Sequence, residues 1–157
     1  MSAALNSRAN PVIVVLGANG EETGKAFEGM NVETVLNENW KSGIASSIAA
    51  GIRRARELNA SAALITLADQ PLVDSAALDR LIDAFDCHPI VASSYAGTIG
   101  VPAIFARKYF DDLQNLTGDR GAAKWLREHA DLVTSIPLPE AETDIDTQED
   151  MNAIRNR

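Results

Sequence analysis

A chain of 157 residues, 46% apolar and 23% charged, fits one domain with a hydrophobic core and excludes an intrinsically disordered polypeptide. Apolar runs such as residues 11–16 fall far short of the ~20 needed to span a bilayer, no signal peptide opens the chain, and the single cysteine, Cys87, excludes an intrachain disulfide, so a cytoplasmic protein is expected. Residues 1–58 hold six basic and six acidic side chains, so the net charge of −8 arises wholly from residues 59–157, where sixteen acidic residues face eight basic ones; neither nucleic acid nor a membrane is an expected partner of such a chain.

Short apolar runs alternate with longer amphipathic stretches, a pattern of βα units around a mostly parallel sheet. Residues 2–8 are helix-compatible. Pro11-Val-Ile-Val-Val-Leu16 is apolar throughout, as expected of a strand buried on both faces. Residues 21–29 make a short helix and 32–36 a second strand. Residues 41–58 form the clearest helix, because Ile44, Ile48, Ile52 and Ala55 share one face. Residues 62–67 read as another buried strand, followed by the turn Asp69-Gln-Pro71 and by a helix over 75–85. Residues 89–95 and 98–105 are strands, and Pro102 puts the latter at an edge or a bulge. Helices over 108–116 and 121–129, a strand over 132–136 and a terminal helix from Thr147 complete the chain.

Four constellations carry candidate chemistry. Asp69 stands where a buried strand leaves the sheet, the place where open α/β sheets bind ligands; it suits Mg²⁺ or, equally, an Asx-type turn. The segment Asn37-Glu-Asn-Trp40-Lys-Ser42-Gly43-Ile-Ala-Ser46-Ser47 leads into the long helix. Its amides and hydroxyls fit a phosphate or polar ligand at a helix N-terminus, or ordinary capping by Ser42. In Thr117-Gly118-Asp119-Arg120-Gly121, Asp119 suits an N-cap and Arg120 an anion. Six carboxylates between residues 140 and 150 include Asp144 and Asp146, a second metal handle or a solvated, capping run.

Val14-Val-Leu16-Gly17-Ala18, the 37–47 segment, Leu67-Ala-Asp69-Gln-Pro71, Gly100-Val-Pro102, Thr117-Gly-Asp-Arg-Gly121 and Asp144-Ile-Asp-Thr147-Gln-Glu-Asp150 occur in family order. Together they resemble the MobA-like nucleotidyltransferases, closest to the molybdenum cofactor cytidylyltransferase branch, over residues 11–154. The resemblance implies a Rossmann-like three-layer α/β/α domain and Mg²⁺-dependent transfer of a nucleotidyl group. The donor is a nucleoside triphosphate, with CTP favoured, and the acceptor a phosphate such as that of molybdopterin; pyrophosphate is released. It makes Asp69 the catalytic metal ligand, with Asp144 and Asp146 as further metal contacts. Asn37, Ser42, Gly43, Ser46 and Ser47 then lie on the nucleotide side, and Gly100, Pro102, Gly118, Asp119, Arg120 and Gly121 on the acceptor side. Gln148 replaces the family's usual proline.

The family's first strand and its L-A-A-G-x-S-x-R-M-G loop have no counterpart in residues 1–157. The expected domain therefore lacks the usual first βα unit, ~30 or more residues by the size of such units, and with it the phosphate cradle. Weak or absent turnover by this chain alone follows. The alternative is a non-catalytic binding module or half of a split enzyme, with a homodimer or a partner covering the missing-strand site.

Overall fold

The computed structural model describes residues 2–143; the helix expected from Thr147, together with Asp144 and Asp146, lies outside the described residues. In chain order the elements are α1 (Ser2–Asn6), β1 (Ile13–Leu16), α2 (Gly20–Gly24), β2 (Glu33–Leu36), α3 (Ile44–Glu57), β3 (Ala62–Ile65), α4 (Ser75–Phe85), β4 (Ile90–Tyr95), β5 (Thr98–Ala106), α5 (Phe110–Gln114), α6 (Ala122–Glu128) and β6 (Thr134–Pro137). Single 3-10 turns connect several of them, including Trp40–Ser42 ahead of α3 and Pro139–Glu142 after β6.

Two apolar clusters define three layers. On one face of the sheet, Ala63, Ile65, Ile90, Ala92, Ala103 and Phe105 meet Ala45, Ile48 and Ile52 of α3, Phe110 and Leu113 of α5, and Trp125 and Leu126 of α6. On the other face, Ala62, Leu64, Val91 and Ile104 meet Ala77, Leu78 and Leu81 of α4, with Ala3 and Ala4 of α1 against the same cluster. Odd and even residues of each strand divide between the clusters, as side chains alternating across a pleated strand require. Burial of Phe105, Phe110, Leu78 and Leu81, all essentially inaccessible, stabilises the fold by roughly 1.5–3 kcal/mol per side chain. His129 stacks on Trp125 with ring centroids 4.1 Å apart, which accounts for it as a packing residue.

The sheet is mixed, not mostly parallel. β1 and β2 pair in parallel, whereas the larger sheet runs β3-β5-β4-β6 with β5 antiparallel to both neighbours and only β4 and β6 parallel. The cause is the two-residue turn Ala96–Gly97, whose φ values of 48° and 74° match a type I′ hairpin. Such a turn joins only antiparallel strands. Pro102 is not on an edge: β5 is interior, and the proline lies where the β4–β5 register jumps from Ala92↔Ala103 to Ser93↔Gly100. The bulge spares the ladder a donor that proline lacks.

Nor are the first and third strands buried on both faces. Ile13, Val14, Val15 and all four residues of β3 are only half-buried. Among the described residues each strand has one partner, β2 for β1 and β5 for β3, so each keeps an edge that no described strand covers. Ile13, Ala63 and Ile65 nevertheless pack on one cluster beneath α3, and a Cβ at Gly51 of α3 would lie 3.2 Å from Val15. Helix α3 thus spans the two sheets. Arg54 ties it to β2 through Glu33, at 2.8 Å, and bonds Glu57 at 2.9 Å; the Glu33 hydrogen bond, then that of Glu57, raises the guanidinium pKa above its ordinary value.

Helix α4 begins on Asp74, whose carboxylate accepts from the Ala77 amide at 2.8 Å. Asp74→Ala is expected to lower unfolding free energy by about 1 kcal/mol. Urea denaturation checks this, with an unchanged m value showing that only the cap was lost.

Candidate functional site

Strand direction gathers the candidate segments at one edge. β1 and β2 run together, and α3 carries the chain back so that β3 starts at the same end, as a helical crossover does. Residues 37–43 and 66–74 therefore leave the sheet on its carboxyl side. β5 is antiparallel, and the pairing of Ile65 with Ala103 puts its first half, including Gly100 and Pro102, beside the exit of β3. β6 parallels β4 up to Ser94↔Pro137, so residues 138–143 arrive at that edge as well.

The segment following β2 is a polar knot. Asn37 is 5% exposed; its Nδ2 donates to the Ser46 and Ser47 hydroxyls at 2.8 and 3.0 Å, and its Oδ1 accepts from the Asn39 amide at 3.0 Å. The Ser42 hydroxyl donates to the Asn39 carbonyl at 2.7 Å, and that of Ser46 lies 2.8 Å from the Gly43 carbonyl. These polar atoms hold the loop's shape. Its exposed side carries Glu38, Trp40 and Lys41, with the Lys41 ammonium 5.5 Å from the centre of the Trp40 ring.

The start of α3 is not a row of free donors. Its Ala45 amide donates to the Gly118 carbonyl at 3.1 Å and its Ser46 amide to the Gly43 carbonyl at 3.1 Å. Gly43, at φ 103° and ψ 172°, makes that approach possible, since a Cβ there would lie 2.3 Å from the carbonyl carbon and oxygen of Gly118. The 37–47 and 117–121 loops, far apart in sequence, are thereby one structure. Asp119 does not cap α6. That position is Gly121, and the Asp119 carboxylate lies against Gly43 instead. Arg120 is paired with Glu128, so one of its terminal nitrogens is already engaged.

Asp69 is exposed, and its side chain makes no hydrogen bond or ion pair among the described residues. The Asx-turn alternative is thus not realised, and both carboxylate oxygens are open. The neighbouring Gln70 is the opposite, 5% exposed in an otherwise accessible turn. Its Nε2 donates to the Val101 carbonyl at 3.1 Å and to the Ala141 carbonyl at 2.9 Å. Its Oε1 is buried without a partner among the described residues, an arrangement that costs about 1–3 kcal/mol. The Tyr95 hydroxyl donates to the same Val101 carbonyl at 3.1 Å. A glutamine between an aspartate and a proline gives no sign of burial in the sequence, and its role there was not foreseen.

Among the described residues no group of three or more His, Cys, Asp or Glu side chains forms a metal cage. An exposed carboxylate with two free oxygens still fits Mg²⁺, which is usually held through one or two carboxylates plus substrate phosphates and water. No helix of the described residues is long and apolar enough to cross a membrane.

The chain matches the MobA-like NTP transferase domain over residues 1–133 and belongs to that family. It is 29% identical over 119 residues to purine catabolism protein PucB of Bacillus subtilis (strain 168), a match covering 73% of this chain and 57% of PucB. It is 28% identical over 151 residues to nicotine blue oxidoreductase of Paenarthrobacter nicotinovorans, covering 89% of this chain and 72% of that protein. The chain thus spans little more than half the length of the first relative. Its fold superposes on Rv0371c of Mycobacterium tuberculosis H37Rv with a TM-score of 0.79 and 26% identity, covering 99% of this chain and 80% of the other. Rv0371c has also been crystallised in complex with manganese. These likenesses establish the family rather than one branch of it.

Gly43→Ala is expected to destabilise the chain by more than Gly118→Ala. Both have positive φ, at a backbone cost of about 1–3 kcal/mol each, but only Gly43 also faces a backbone clash, with nothing within 4 Å of a Cβ at Gly118. Thermal unfolding of the two variants side by side checks the order.

Proposed function

We propose that this chain is a nucleotidyltransferase domain in which Asp69 holds the magnesium–nucleotide complex. The observation that carries the reading is the exposed Asp69 carboxylate, without a partner among the described residues, at the carboxyl edge of the sheet beside the first half of β5, which contains Gly100 and Pro102. Asp69 would hold Mg²⁺, with Asp144 and Asp146 as further carboxylates; when bound, the ion supplies neutralisation of the phosphate charge. An oxygen of the acceptor phosphate attacks the α-phosphorus of the triphosphate in line. As that bond forms, the bond from the α-phosphorus to the bridging oxygen breaks, and pyrophosphate leaves with the electron pair.

CTP is the favoured donor, and the acceptor is a phosphate such as that of molybdopterin, by resemblance to the molybdenum cofactor cytidylyltransferases. The manganese complex of the Rv0371c relative supports a divalent ion. Within this chain, Asn37, Ser42, Ser46 and Ser47 build the nucleotide-side loop, and Gly43 locks it to Gly118. Nucleotide contacts then fall to the loop's backbone and its exposed side. Gly118 to Gly121 consequently adjoin the nucleotide side as well as the acceptor.

The free edges of β1 and β3 favour a second reading, in which this domain is one part of a larger site. A strand from a separate partner, paired with one of them, would extend the central layer and bring the phosphate cradle that the described residues do not provide, whereas a second copy would only cover the edge. Such a module binds nucleotide without turning it over.

Calorimetry with Mn²⁺ and CTP tests the main reading. The unaltered chain is expected to bind the pair, and Asp69→Ala to weaken that binding by about tenfold or more, equivalent to about 1.4 kcal/mol per decade; equal affinity in the two proteins rejects it. Pyrophosphate release by the unaltered chain, assayed in parallel, decides between an enzyme complete in itself and a partial site.

A further inference from the structure

We infer that Gln70 is a positioning residue that fixes the Asp69 carboxylate, and the 3-10 turn that follows β6, against the start of β5. The inference rests on the reading of Asp69 as a metal ligand and adds to it the residue that sets where that ligand stands. Asp69 has no side-chain partner of its own among the described residues. Its place is set through the backbone, and the nearest anchor in the chain is the amide next door.

That amide spans three segments. Its two hydrogens are directed to carbonyls 31 and 71 residues away, Val101 in the bulge of β5 and Ala141 in the last 3-10 turn. Both bonds are fully buried. Ala141 lies in the 3-10 turn that follows β6, so one side chain links the Asp69 turn both to β5 and to that turn. The Val101 carbonyl also accepts from the Tyr95 hydroxyl, and Ser93 donates to the Pro102 carbonyl at 2.6 Å. The anchor point is therefore braced before Gln70 reaches it.

A purely structural plug at this place would be served by an apolar side chain of the same length. Glutamine instead leaves Oε1 buried without a partner among the described residues, a cost that a methionine would avoid. What the amide uniquely contributes is two directed bonds to two different segments. Directed bonds set position, whereas apolar contact sets only proximity.

Gln70→Met in the full chain keeps the length and removes both donors. Two measurements are made on it and on the unaltered protein: titration of Mn²⁺, with CTP present, by the electron paramagnetic resonance signal of free Mn²⁺, and metal-free hydrogen exchange. The expected result is a cooperatively unfolding variant whose Mn²⁺ affinity falls about 10–100-fold, the usual effect of removing a group that orients a metal ligand. The Val73 and Ala141 amides, bonded to the Gln70 and Leu138 carbonyls, should lose exchange protection together, with the later α4 amides unchanged. Mn²⁺ affinity within about twofold of the unaltered protein overturns the inference, whatever happens to the melting temperature. If Gln70→Met fails to fold, Gln70→Asn, which keeps the amide but shortens its reach, is held to the same criteria. Should the unaltered chain itself bind no Mn²⁺ with CTP, the metal reading of Asp69 is what fails, and joint loss of protection in the two segments still decides whether Gln70 clamps them.

Discussion

A two-residue turn governs the geometry of this site. Because Ala96 and Gly97 both take positive φ, β5 folds straight back along β4 and enters the sheet between β4 and β3. That reversal places the bulge at Val101 and Pro102 beside the end of β3. A helical crossover in place of the hairpin would have put the start of β5 at the opposite edge. Gln70 could then not have reached the Val101 carbonyl. The mixed sheet is thus the condition for joining the Asp69 turn to the start of β5.

The two halves of the site are built by different physics. On the β2 side, Asn37 and the serines around it satisfy one another, and Gly43 lets the Gly118 carbonyl cap α3. The polar side chains of the loop are committed to one another, so that half is braced before anything binds. On the β3 side the carboxylate is free while its neighbour is fixed. A rigid frame with one uncommitted charged group is how a preorganised site is recognised.

Much of this was legible in the sequence, and the gaps have physical causes. The helical face of Ile48, Ile52 and Ala55, and the bounds of α4, follow from periodicity, because burial of one face dictates spacing; Ile44, expected on that face, sits in the first turn of α3 and is 41% exposed. That Asp69 follows a strand exit could be read from the apolar run that ends before it. The direction of β5 could have been read from the two residues Ala96–Gly97 between apolar runs, but alternation of strands and helices elsewhere favoured a parallel sheet. The half-burial of β1 and β3 was hidden because apolar composition reports what a strand can bury, not whether neighbours are present to bury it. Contacts such as Gly43 with Gly118, or Gln70 with Ala141, join residues about 70 or more apart in the chain; nothing local encodes them.

The free edges of β1 and β3 and the free carboxylate of Asp69 belong to one functional account: a sheet edge that receives a metal-bound nucleotide, in a family whose relatives carry more chain than this one matches. Diffraction at the manganese absorption edge, from crystals soaked with Mn²⁺ and CTP, tests that account most directly. An anomalous peak within coordinating distance of an Asp69 carboxylate oxygen, next to density for the triphosphate, is the predicted result. A peak on other carboxylates with Asp69 left bare, or nucleotide bound away from this edge, would contradict it.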